Sequence, residues 1–248
     1  MNKPIHILLL AAILLAVSAC SKGDDAYYEG DYQDKTEPGT SDQTPSGEYD
    51  MAEPQSISFI ATLHKTGNGD YYLQIDATMR VYPANFQDLC AVEPDCPCRI
   101  VGQMAVFDRQ MGELGQYGLL DWFDFVEKGP VVNERGEGDD GVDVLADWMT
   151  SLEDGFLTLH IQTWWGYETR RHAFRLVAGI NPDDPYELLL QHFANNDAKS
   201  FQADALVCFD LLNALPRPND PDNTTVTLKW TNDTGQTESR SFPFAGRY

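Results

Sequence analysis

From Gln55 onward, apolar and polar positions alternate with a period of two. Ile57, Phe59, Ala61 and Leu63 share one phase, with Ser58, Ile60 and Thr62 between them. That spacing predicts a strand with one buried face. Thr66-Gly67-Asn68-Gly69-Asp70 follows, a run rich in residues that accept positive φ, and Tyr71–Ile75 resumes the strand; together they predict a β-hairpin. Further strands are predicted at Arg80–Pro83, Arg99–Phe107 and Leu119–Val126. Five short strands in this stretch suit a small barrel.

Asn133–Gly141 is a polar, glycine-rich break, and a second strand series begins after it. Phe156–Thr163 is expected to pair with Arg171–Ala178 through a turn at Gly166. Tyr186–Phe193, Ala203–Leu212, Thr225–Thr231 and Glu238–Phe244 continue the series, separated by Asn/Asp/Pro clusters. This is the spacing of a β-sandwich. Val142–Met149 is the best candidate for a short helix or turn.

The N-terminal pattern is different. Lys3 precedes an almost wholly apolar run from Ile5 to Val17, broken only by His6. It is shorter than the roughly 20 residues of a membrane-spanning helix and reads as a secretory h-region. Val17-Ser18-Ala19-Cys20 resembles a bacterial lipobox, which makes Cys20 the expected lipid-attachment residue and residues 1–19 a signal peptide. Such anchors carry several acyl chains, and several are needed because one alone holds only marginally. Between residues 21 and 53 stand ten acids against Lys22 and Lys35, with Gly, Ser, Thr and Pro filling most of the rest. With no apolar face to bury, this zone is expected to be a disordered, self-repelling tether. The expected domains are therefore a barrel over residues 54–132 and a sandwich over 133–248.

The chain carries a formal net charge of −22. Cleavage before Cys20 removes Lys3 and leaves 16 basic against 39 acidic residues. So negative a surface argues against nucleic acid, which requires clustered Lys and Arg.

Cys90, Cys96 and Cys98 form the most distinctive local cluster. In an exported chain, a disulfide from Cys90 to Cys96 or Cys98 is favoured over free thiols or a metal site, since no second ligand pair or nearby histidine completes a zinc set. Cys208 lies in an apolar strand and reads as a small buried hydrophobe. The sequence has neither a G-x-S-x-G elbow nor an H-E-x-x-H pair, and no catalytic or metal-ligand set is expected. His160 is out of phase with Leu157, Leu159 and Ile161 and is expected to face solvent. His172 is in phase with Phe174 and Leu176 and is expected at the core edge. Asp139, Asp140 and Asp143 lie on a glycine-rich loop that offers oxygen ligands to calcium, without an EF-hand pattern; a solvated loop is the simpler reading. Trp164, Trp165 and Tyr167 are the candidate ligand contacts. Neighbouring strand residues face opposite ways, so Trp164 is the ring expected outside if either is exposed; the favoured reading is that both tryptophans cap the sandwich end.

Several of these features occur together in one family. The lipobox with its acidic tail, Tyr71–Asp76 leading to Val81-Tyr82-Pro83-Ala84, Asp147-Trp148-Met149 before the strand at Phe156, and Val207–Leu211 resemble the NigD-like lipoproteins of Bacteroides-type bacteria. The resemblance implies an all-β fold, an OB-like N-terminal barrel followed by a β-sandwich. The family has no established enzymatic role, and its name comes from a bacteriocin-linked gene cluster. The Cys90–Cys98 segment departs from the family pattern. The resulting expectation is a non-catalytic, lipid-anchored binding or accessory protein of the outer membrane. It would be held to the membrane through Cys20 and face the cell surface or the periplasm. Its partner is an unidentified protein or glycan. A glycan-active protein and a bacteriocin-protection or export factor are the alternatives.

Overall fold

The computed structural model describes residues 53–168 and 170–246, so Cys20, the signal peptide and nearly all of the acidic segment lie outside the described residues. Within them the chain is all-β. The first module contains β1 (Gln55–Lys65), β2 (Tyr71–Gln74), β3 (Arg80–Pro83), β4 (Cys98–Gln110) and β5 (Gln116–Phe125), with α1 (Phe86–Leu89) between β3 and β4. These strands close into a barrel in the order β1-β2-β3-β5-β4, and β3 meets β5 in parallel. A five-stranded Greek-key barrel of this kind is the OB arrangement. Phe59, Ala61, Leu63, Leu73, Val81, Ile100 and Met104 fill its interior. They occupy the in-phase positions of the alternating pattern. The sequence reading did not foresee α1, a single turn too short for a 3.6-residue period to register.

The second module begins earlier than residue 133. β6 (Glu127–Lys128) and β7 (Val131–Val132) already belong to it. β6 pairs in parallel with β13 (Phe201–Asp210), and β7 pairs in parallel with β11 (Ala173–Val177). The segment leaving the barrel therefore runs along the edge of one sandwich sheet and then the other, pairing edges that would otherwise be open. A two-residue strand is too short for periodicity, which is why the expected boundary fell late.

The remaining strands are β8 (Asp143–Val144), β9 (Ser151–Glu153), β10 (Phe156–Trp165), β12 (Glu187–Phe193), β14 (Thr225–Thr231) and β15 (Thr237–Pro243). One sheet runs β6-β13-β10-β8 with β9 also on β10; the other runs β15-β14-β12-β11-β7. Leu157, Leu159, Ile161, Leu188, Leu190, Phe209 and Leu228 fill the space between them. Each such aliphatic or aromatic side chain contributes about 1.5–3 kcal/mol when fully buried.

The expected pairing of Phe156–Thr163 with Arg171–Ala178 is not formed. β10 pairs over its whole length with β13, from Phe156↔Asp210 to Trp165↔Phe201, and β11 pairs with β12. The Gly166 loop crosses between sheets instead of closing a hairpin. Ten paired rungs with β13 outweigh the local turn. Val142–Met149 forms no helix: it contains β8 and the start of a turn at residues 147–150.

The two modules meet over a buried polar joint. Arg99, 1% exposed, donates from Nε to Thr158 Oγ1 (3.2 Å) and from Nη1 to Thr62 Oγ1 (3.0 Å). His64 Nε2 lies 2.6 Å from Asp154 Oδ2. Val126, Phe156 and Cys208 form a small apolar cluster beside this joint.

Candidate functional site

The outer face of the barrel carries an aromatic row. Leu63, Leu73 and Val81 point inward, so their chain neighbours His64, Tyr72 and Tyr82 point outward. The strand register extends the row. His64 is paired with Tyr72, Tyr82 with Tyr117, and Phe107 with Tyr117. His64 stacks on Tyr72 at 4.8 Å, and Phe107 meets Tyr117 edge-on at 5.3 Å. Two guanidinium groups lie on these rings: Arg80 over Tyr72 at 4.7 Å and Arg109 over Tyr117 at 5.6 Å. Arg80 is further held by Gln74 Oε1 (2.9 Å) and the Glu113 carbonyl (3.2 Å). These are cation–π contacts. The result is a fixed, half-buried stripe of rings bordered by positive charge on a strongly acidic chain. Alternation gives the outward phase of each strand, but only the register aligns the five rings, which is why the sequence reading missed them.

At the Trp164–Tyr167 tip neither tryptophan stands out as an exposed ring. Trp164 and Trp165 are both half-buried. Trp165 stacks on His172 at 4.0 Å and donates its indole N–H to the Ala203 carbonyl at 3.1 Å. The exposed ring is Tyr167, 81% accessible and 5.4 Å from Phe201.

Beneath the tip lies a chain of buried groups. His192 Nδ1 faces the Gly141 carbonyl at 3.1 Å, so Nδ1 must donate. Its Nε2 then accepts from His172 Nδ1 at 3.0 Å. His172 Nε2 meets Asp197 Oδ2 at 3.2 Å, and Asp197 also accepts the Gly166 and Ala198 amides. Burial, reinforced by the neighbouring His172, pushes His192 down to about 4. A second proton there would point at the His172 N–H. A proton on His172 Nε2 makes an imidazolium against Asp197; burial opposes that charge, Asp197 favours it, and the net direction is downward. Asp197 is held below the usual carboxylate range by the Gly166 and Ala198 amides and by His172, which together overcome the opposing effect of its burial. Gly166 is required here, since a Cβ would sit 2.2 Å from Asp197 Oδ1. His172 thus occupies the expected core edge, between His192 and Asp197.

His160 contradicts its expectation. It is 7% exposed because the turn at residues 147–150 folds over the outer side of β10. Its Nδ1 lies 2.5 Å from Asp147 Oδ2, and its backbone amide donates to Thr150 Oγ1.

Asp140 accepts the Ala194 amide at 2.8 Å, and Asp143 lies 3.4 Å from the Asp233 amide. Asp139 is exposed. Among the described residues, no three His, Cys, Asp or Glu side chains gather as a metal-ligand set. Cys90, Cys96 and Cys98 are half-buried free thiols against the barrel core. Cys208 is 1% exposed, the buried small hydrophobe expected, and its burial pushes the thiol up to about 12.

A closed OB-type barrel laced by edge strands to a two-sheet sandwich, with its aromatic stripe on the outside, defines a two-module β-protein. Residues 125–244, nearly half of the chain, match the NigD-like C-terminal beta sandwich domain, in line with the resemblance that the sequence motifs carried. Solved structures share the fold. A candidate toxin-related protein from Parabacteroides distasonis ATCC 8503 is 22% identical, with TM-score 0.58 over 76% of this chain and 93% of that one. A NigD-like immunity protein from Bacteroides caccae ATCC 43185 is 16% identical, with TM-score 0.52 over 75% and 91%. A candidate lipoprotein from Bacteroides fragilis NCTC 9343 is 10% identical, with TM-score 0.56 over 77% and 99%. At these identities the likeness is one of fold. No curated protein matches the chain significantly.

Proposed function

We propose that this chain is a non-catalytic binding protein, exported and lipid-anchored through Cys20 at the outer membrane, that presents its barrel face to a partner at the cell surface. The observation that carries the binding role is the row His64, Tyr72, Tyr82, Tyr117 and Phe107 with Arg80 and Arg109 upon it. Rings already aligned and held by guanidinium contacts lose little conformational freedom on binding, which is what makes a contact surface effective. The lipobox and acidic segment support the anchor, and the likeness to a candidate lipoprotein agrees with it.

The test compares the purified chain with a Tyr72→Ala/Tyr117→Ala variant, using outer-membrane extracts and glycan arrays. A partner retained by the parent chain and lost by the folded variant supports the reading. Equal retention by both removes the barrel face from it. Incorporation of a palmitate analogue, abolished by Cys20→Ala, tests the anchor, and protease shaving of intact cells tests the surface placement.

Two other readings each rest on one observation. The exposed Tyr167 beside Phe201 suits stacking on a sugar ring, and glycan binding lost in Tyr167→Ala would favour that surface. The likeness to a NigD-like immunity protein suits bacteriocin protection. Unchanged toxin sensitivity after gene deletion would remove this last reading.

A further inference from the structure

The barrel row carries charge as well as rings, and that charge has no counter-charge. Arg80 donates from Nε to Gln74 and from Nη1 to the Glu113 carbonyl, and its Nη2 has no partner among the described residues. Arg109 is exposed and, beyond its contact with the Tyr117 ring, has neither a hydrogen bond nor an ion pair among them. No described carboxylate lies within ion-pair distance of either guanidinium, not even that of Glu113, whose backbone Arg80 already holds. On a chain with 39 acids against 17 bases, two neighbouring cations without an acidic partner set this face apart. Tyr72, Tyr82 and Tyr117 are half-buried, and none of their hydroxyls is hydrogen-bonded among the described residues. The rings beneath the guanidinium groups, Tyr72 on β2 and Tyr117 on β5, lie two strands apart in the order β2-β3-β5, about 10 Å. Tyr82, on β3, stands between them.

We propose that the barrel face binds a carboxylated polysaccharide, with Arg80 and Arg109 each on a carboxylate and the Tyr72, Tyr82 and Tyr117 hydroxyls on the sugar hydroxyls between them. The proposal rests on the reading of this face as a binding surface and names the class of its partner. Arg109 is free to take a carboxylate through two parallel N–H bonds, and Arg80 through its Nη2. Each phenol both donates and accepts, which is what a sugar hydroxyl requires. The tyrosine hydroxyls stand between the two cations, so the face suits a polymer whose acids are separated by uncharged, hydroxyl-bearing units. A nucleic acid, charged about every 1.7 Å along a duplex, would meet too few cations here. At physiological ionic strength, exposed charges more than about 8 Å away are largely screened, so the acids elsewhere on the chain do not cancel the two arginines.

The test is calorimetric titration of the mature full-length chain carrying Cys20→Ser with hyaluronan oligosaccharide, which bears a carboxylate on every second sugar, and with uncharged chitin oligosaccharide of the same length. The expected result is binding of hyaluronan that weakens as salt rises, and no binding of chitin. Arg80→Gln and Arg109→Gln each weaken hyaluronan binding about fivefold. Tyr82→Phe, which keeps the ring and removes only the hydroxyl, weakens it about threefold. Arg217→Gln, at an exposed arginine between β13 and β14, leaves it unchanged. Circular dichroism checks that each variant is folded. Equal affinity for chitin, unchanged affinity in the folded Arg80→Gln/Arg109→Gln double variant, or a parent chain that does not bind hyaluronan would each overturn the proposal. If hyaluronan fails while the parent still retains an outer-membrane partner that Tyr72→Ala/Tyr117→Ala loses, the class of partner falls and the binding face stands.

Discussion

Acid should weaken this fold through one identifiable side chain. His192 is 1% exposed, its Nδ1 committed to the Gly141 carbonyl and its Nε2 to the His172 N–H. Its pKa falls from 6.5 to about 4 on folding. Because the folded value is the lower, the unfolded chain binds more protons below about pH 6.5, and stability falls from there towards pH 4. Between pH 7 and pH 5 the His192 contribution amounts to a loss of about 2 kcal/mol, and by pH 4 to about 3 kcal/mol. For a domain of this size the pH 5 loss corresponds to about 4–8 °C in Tm. His172 shifts in the same direction and adds to the slope. Urea and thermal unfolding at pH 7 and pH 5 measure it, with His192→Asn as the comparison. Asn retains an amide donor for Gly141 but does not titrate, so the variant should be less stable at pH 7 and flatter with pH. Equal pH slopes in the two proteins would refute the assignment of this loss to His192.

Three further outcomes are expected. Arg99→Met should destabilise the chain by about 3 kcal/mol or more in urea unfolding, because it leaves the buried Thr62 and Thr158 hydroxyls without their guanidinium donor. Gly166→Ala should cost about 1–3 kcal/mol, since the new methyl overlaps Asp197 and the Ala198 amide; thermal melts read it, and indole fluorescence should report movement of Trp165. The Cys208 thiol, buried and pushed up to about 12, should resist iodoacetamide at pH 8 until the chain unfolds, while Cys96 reacts in the native state; peptide mapping distinguishes the two.

Sequence and structure divide along physical lines. Alternation with a period of two is a local property, so β3 and β14 were legible to the residue, and the longer strands to within a few residues at each end. The turn clusters separated them, and the family motifs supplied the barrel-then-sandwich order. Strand partners are set by non-local rungs, which is why β10 goes to β13 and not to its sequence neighbour β11. His160 shows the same limit. Its phase placed it outside the sandwich core correctly, but a turn beginning thirteen residues earlier in the chain covers that side and buries it. The candidate site was legible only in part: Trp164, Trp165 and Tyr167 stood out as a cluster in one stretch of sequence, whereas the barrel row draws its rings from five strands. Sequence alone thus determined where most of the strands lie and which face of each is apolar. Tertiary structure decided which rings align and which histidines lie together in a buried chain. Those relations depend on register and packing between segments far apart in the chain, and no local pattern encodes them.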